Sequence, residues 1–145
     1  MQKVTGGRAL MRIGELSRAS GVEVATIRYY EKAGLLLCPR RQLNGYRDYG
    51  TEHLERLAFI RQCRAMDMPL ASVARLLGFQ HGAPTDCNDI NKLVDEHLSL
   101  IRGRIENMHA LEERLMTLRA RCSEGKQTPD CGILHELAAS ARESY

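Results

Sequence analysis

The chain has 145 residues, 43% apolar and 27% charged, with five cysteines, no tryptophan and a formal net charge of +3. No stretch is long and apolar enough to span a bilayer or form a secretory core, and the cysteines follow no secreted framework. The composition therefore argues against membrane and disulfide-scaffold classes and for reduced thiols in a cytoplasm. The charge is uneven. Residues 11–80 hold eleven Lys/Arg against seven Asp/Glu, a net of +4, and residues 81–145 hold eight against eleven, a net of −3. The front half is the better partner for a polyanion.

In chain order, residues 1–10 lack periodicity and carry a Gly-Gly pair, so they read as a disordered leader or a tag, with Met11 a natural start. Ile13 to Ser20 predicts a short amphipathic helix, Gly21 a turn, and Val22 to Lys32 a second short helix closing near Ala33-Gly34. Two short helices on a tight glycine turn suggest a helix-turn-helix. Leu35 to Tyr49 reads as a hairpin turning at Asn44-Gly45, although Pro39 opposes a long central strand. Thr51 is a plausible N-cap for a helix to about Asp67, and Leu70 to Leu77 a fourth helix. This front domain spans residues 11–80, with a hinge at 81–87.

Residues 88–121 predict one long helix. Val94, His97, Ile101, Arg104, Met108, Leu111, Leu115, Leu118 and Cys122 recur in steps of three and four, the spacing of a coiled-coil seam. Such a stripe needs a partner helix, and a second copy is the economical one. Residues 122–145 form a loop and a terminal helix, Gly132 to Ser140, expected to pack Ile133, Leu134 and Leu137. The expected fold class is thus mainly α: a winged helix-turn-helix, a long dimerisation helix and a C-terminal loop with a short helix.

Three cysteines carry the chemistry. Cys122 and Cys131 bracket a loop containing Gly125 and Pro129. Cys87 stands at the start of the long helix, roughly 50 Å from its far end at about 1.5 Å per residue. If that helix is straight, Cys87 meets the loop of an antiparallel partner rather than its own. Thiolates favour soft or borderline cations: mercury, lead, cadmium, monovalent copper and zinc. Cys63 reads as a small core residue, Cys38 as a bystander beside Pro39, and His97 as a polar residue setting seam register. There is no C-x-x-C, no Gly-rich phosphate loop and no Cys–His–Asn set, so an enzyme is disfavoured.

On the second helix Thr26, Arg28, Tyr29 and Tyr30 present hydroxyl and guanidinium groups within one turn, suited to phosphates and base edges. Arg40, Arg41 and Arg47, with Tyr46 and Tyr49, surround the hairpin turn as a basic wing. With I-G-E-L-S-R-A-S-G-V, T-I-R-Y-Y-E-K-A-G-L-L, N-G-Y-R-D-Y and H-L-E-R-L-A-F-I-R in this order, the chain resembles the MerR family of bacterial transcription regulators over residues 11–138. The resemblance implies a homodimer joined by an antiparallel coiled coil. It also implies distortion of an over-long promoter spacer, so that RNA polymerase engages both elements. Carried over residue by residue, it makes Val24, Thr26, Arg28, Tyr29, Arg47 and Tyr49 DNA contacts, with Arg61 on phosphate. The cysteine pattern resembles that of metal-sensing members, in which monovalent copper sensors carry serine at the position of Cys87. A third thiolate suits a divalent ion. Residues 123–130 hold no histidine, and tetrahedral zinc lacks an obvious fourth ligand. D-C-N-D-I-N-K-L-V-D-E-H-L and D-C-G-I-L-H-E-L resemble the cadmium- and lead-responsive branch. The expected effector is Cd(II) or Pb(II) on Cys87, Cys122 and Cys131, with His135 as an accessory ligand. Mercury or zinc, and a metal-buffering protein without DNA binding, are the alternatives.

Overall fold

The computed structural model describes residues 10–43, 45–82, 87–122, 125 and 127–144. Apart from Leu10, the expected leader lies outside these residues. So do Asn44 of the hairpin turn, residues 83–86 of the expected hinge, and Glu124. The elements are α1 (Ile13–Ser20), α2 (Val24–Lys32), β1 (Arg40–Arg41), β2 (Arg47–Asp48), α3 (Thr51–Ala65), α4 (Leu70–His81), α5 (Cys87–Ala120), a 3-10 turn (Thr128–Asp130) and α6 (Gly132–Glu143). Two compact units divide within α5, after Asn91.

In the first unit α1 packs on α2 and α3, and α3 on α4. Glu15 accepts the Arg12 amide at the start of α1. Gly21 ends that helix at φ +71, and its N–H donates to the Ser17 carbonyl. A Cβ on Gly21 would lie 2.7 Å from Arg61 Nη1, which itself donates to the Ser20 carbonyl at 2.9 Å. Gly21→Ala therefore combines a left-handed backbone penalty with a displaced arginine. It is expected to cost about 1–2 kcal/mol, read as a lower urea midpoint.

The core has two clusters that α3 joins. Leu35, Ile60, Cys63, Met68, Val73 and Leu77 form one; Leu16, Ile27, Leu36, Tyr49 and Leu57 form the other, and Tyr30 packs against both. Cys63 is buried, as its helical position predicts. Tyr30 is likewise core.

Several boundaries differ from the sequence reading. The second helix starts at Val24, because Glu23 is the extended N-cap. Thr51 is the first helical residue of α3, not its cap. The capping is reversed: the Gly50 N–H donates to His53 Nδ1 at 3.0 Å, so Nε2 carries the ring proton and donates to the Leu37 carbonyl at 3.2 Å. The α4 helix runs on to His81, four residues past the expected end. The hairpin shrinks to pairs of two residues, Arg40 with Asp48 and Arg41 with Arg47. Leu35 and Leu36 leave the strand because each plugs a different core cluster. Gln42 Nε2 donates to both Asp48 carboxylate oxygens, at 2.8 and 3.0 Å, stiffening the short wing from within.

The α5 helix is unbroken over 34 residues, through Gly103. In the second unit, α6 extends to Glu143. Its Leu134 and Leu137 are about half exposed rather than packed inward.

Candidate DNA-reading surface and thiol site

Thr26 and Val24 on α2 are half-buried, whereas Arg28 and Tyr29 are exposed, with 57% of Tyr29 open. Beside them the wing closes a cleft of about 790 Å³, lined by Arg12, Ile13, Arg28, Glu31, Lys32, Gly45, Tyr46 and Arg47. Glu31 ties the helix to the wing. Its carboxylate accepts Arg47 Nη1 at 2.9 Å and the Tyr49 hydroxyl. The Tyr49 backbone also bonds Met11 in both directions, at 2.8 and 2.9 Å.

Tyr49, expected at the DNA, has a wholly buried ring and a hydroxyl engaged by Glu31, so in this chain it props the wing. Burial, then the Glu31 hydrogen bond, push its phenol up to about 12, so it stays protonated across the physiological range. Arg61 is exposed but already bonds the end of α1. Sequence reasoning missed Glu31, Arg12 and Lys32. Glu31 lies three residues after Arg28, on the same face of α2, which was the available signal.

The thiol site is built by α6. Gly132 opens this helix directly above the end of α5: a Cβ there would stand 2.6 Å from the Arg121 carbonyl oxygen. Arg121 Nε pairs with Glu136 at 2.7 Å across the same junction. This close approach brings Cys131, the residue before α6, within interaction range of the Cys122 thiol. The amides of Leu134 and Ile133, at the open end of α6, favour the Cys131 thiolate; Cys122 adds in the same direction. Together they draw its pKa below the ordinary thiol value of 9.0. In the metal-free protein, alkylation of Cys131 should therefore persist to lower pH than for a free thiol, as followed by peptide mass mapping after iodoacetamide.

The His135 ring is turned onto the loop, with Nε2 donating to the Pro129 carbonyl at 2.8 Å. In that pose it braces the loop, and ligation through Nε2 would require breaking the bond. Cys87 is exposed at the opening of α5, and Cys38 is exposed near the wing. Among the described residues, no three His, Cys, Asp or Glu side chains of one chain assemble as a metal-holding group. The two cysteines that this chain brings together are Cys122 and Cys131. From Met108 to Cys122 an apolar groove of about 830 Å³ runs to this pair, lined by Leu111, Leu115 and Met116 among others. No described helix is long and apolar enough to cross a membrane.

Comparison with known proteins matches residues 11–79 to the MerR HTH family regulatory proteins and residues 54–118 to the MerR DNA-binding family. A ZntR homolog, an HTH-type transcriptional regulator of Haemophilus influenzae, is 36% identical over 119 residues, covering 82% of this chain and 88% of its own. Among solved structures, the lead(II) complex of the transcription regulator PbrR691 from Ralstonia metallidurans CH34 is 42% identical. It superposes with a TM-score of 0.80 over 88% of this chain and 98% of its own. The mercury(II) complex of MerR from Bacillus megaterium MB1 is 34% identical, with a TM-score of 0.70 over 88% and 99%.

Proposed function

This chain belongs to the MerR family of helix-turn-helix transcription regulators, and from that premise we propose that it is a homodimeric, metal-responsive activator of heavy-metal resistance genes whose effector is Pb(II) or Cd(II). It acts on promoter DNA in the cytoplasm, where its thiols stay reduced. Val24, Thr26, Arg28, Tyr29, Arg47 and Arg61 form the DNA-facing set, with Tyr49 behind them. Metal joins Cys87 of one chain to Cys122 and Cys131 of the other. That tie favours one arrangement of the two reading heads, and the distorted promoter is then open to RNA polymerase.

One observation carries this reading. Cys122 and Cys131 are a preformed thiol pair, while Cys87 stands at the opposite end of one continuous helix of 34 residues. Three thiolates match the charge and softness of a divalent heavy cation. The relative holding lead(II) supports the lead or cadmium branch; the relative holding mercury(II) keeps mercury as the second reading. Zinc is less favoured, since the one nearby imidazole is engaged with the Pro129 carbonyl. The test is competitive titration of the reduced dimer with lead, cadmium, mercury and zinc, read by run-off transcription from its own promoter. Activation by lead or cadmium at the lowest free concentration supports the reading; activation by none of the four ends it.

A further inference from the structure

We propose that Arg12 and Lys32, together with Arg28, form a cationic cradle that grips a DNA backbone phosphate in the cleft between α2 and the wing. The inference rests on the DNA-binding reading above and assigns two residues that neither the motifs nor the comparisons single out.

The cleft holds four cations, Arg12, Arg28, Lys32 and Arg47, against one carboxylate, Glu31. That carboxylate is already spent: its side chain is 12% exposed, and its oxygens accept Arg47 at 2.9 Å and the Tyr49 hydroxyl. Three cations remain around an open space, and Arg28 and Lys32 are exposed to it. Like charges gathered without a counter-charge repel one another; an anion entering the cleft relieves this and strengthens with the number of donors.

Arg12 is held for this task. It is the N-cap residue of α1, and its guanidinium carbon lies 4.1 Å from the centre of the Tyr46 ring at the wing. A guanidinium stacked on an aromatic face keeps its in-plane N–H donors directed sideways, and the stack costs little of its hydrogen-bonding capacity. Arg12 thereby links the first helix to the wing and sets one wall of the cleft. Lys32 closes α2 on the other side, where a flexible ammonium acts as a point charge with no base preference. Among the described lining residues the donors are cationic and the one carboxylate is engaged by Arg47 and Tyr49, so the cleft offers positive charge from several directions, the arrangement that suits a backbone phosphate. The ligand chemistry is that of a phosphodiester.

The experiment compares the full-length dimer with its Arg12→Gln and Lys32→Gln variants. Dissociation constants are measured on operator DNA and on unrelated duplex DNA between 50 and 300 mM salt, roughly the range in which such contacts are resolved. Each phosphate contact contributes about 0.9 to the slope of log K against log salt concentration, so loss of one contact per protomer lowers it by about 1.8 per dimer. Both variants should show this flatter slope, with affinity lower by a similar factor on both DNAs. The operator preference itself should be unchanged. Arg12→Lys and Lys32→Arg should restore the slope, which separates lost charge from a disturbed wing. A wild-type slope in both Gln variants, or no restoration by the charge-keeping variants, overturns the cradle. Absence of salt-dependent operator binding by the wild-type dimer would instead overturn the DNA-binding reading beneath it.

Discussion

Cys87→Ser is expected to abolish metal-dependent transcription while leaving operator binding intact, with metal affinity reduced by at least ~100-fold, about 2.7 kcal/mol. The residues proposed to face DNA lie on α2, the wing and α3, and the mutated thiol is exposed at the opening of α5, so nothing in the core clusters is touched. Cys131→Ser should be equally damaging, because it removes the thiolate that the α6 amides favour. The decisive form of the experiment mixes the two variants in one dimer. If the site is shared between chains, Cys87 from the Cys131→Ser chain joins the intact pair of the Cys87→Ser chain. One complete site is thereby rebuilt. A site confined to one chain gives none, since each chain lacks a ligand. Tandem-tagged mixed dimers should bind one lead or cadmium ion with wild-type affinity, measured by equilibrium competition. Mixed dimers as inert as either parent would refute the shared site.

Sequence patterns revealed the long helix most fully. Steps of three and four from Val94 to Leu118 have one physical origin, the helical period, and the structure keeps that helix from Cys87 to Ala120. The first two helices were legible for a similar reason: Gly21 permits the left-handed turn that ends α1, and few other residues do. The wing was less legible. The Asn44-Gly45 turn signal suggested a hairpin over Leu35 to Tyr49, but Leu35 and Leu36 are adjacent residues serving two different cores, which no turn signal encodes. The place of Tyr49 was hidden in the same way: the resemblance alone names it beside DNA, and its bond to Glu31, 18 residues away, leaves no local pattern in the sequence. At the thiol site Cys122 and Cys131 were readable as the two ends of a short loop. The favouring of Cys131 was not, because it depends on α6 beginning one residue later and on Gly132 sitting against the Arg121 carbonyl.

The second large effect is expected from Leu115→Asp. Along α5, Met108, Leu111, Leu115 and Met116 are between 48% and 66% exposed in the single chain. A contiguous apolar strip of this kind is rare on a surface that stays wet, and burying each side chain contributes about 1.5–3 kcal/mol. The strip ends at Cys122, so whatever covers it also borders the thiol pair. A second α5 lying antiparallel is the cover proposed above, because it brings another copy of Cys87 to that end. A carboxylate at position 115 would be taken out of water in that apolar contact, at a cost of several kcal/mol that Arg119, one turn along the same groove, lowers without removing. Leu115→Asp should therefore weaken dimerisation by about 10²–10³-fold, as measured by sedimentation across a dilution series, and it should lower metal affinity to that of the Cys122–Cys131 pair alone. Leu115→Met, which conserves volume and polarity, should leave both quantities within about threefold of wild type. A Leu115→Asp chain that remains dimeric at micromolar concentration would show that this strip is not the interface. If it became monomeric but kept full metal affinity, one chain would be supplying every ligand.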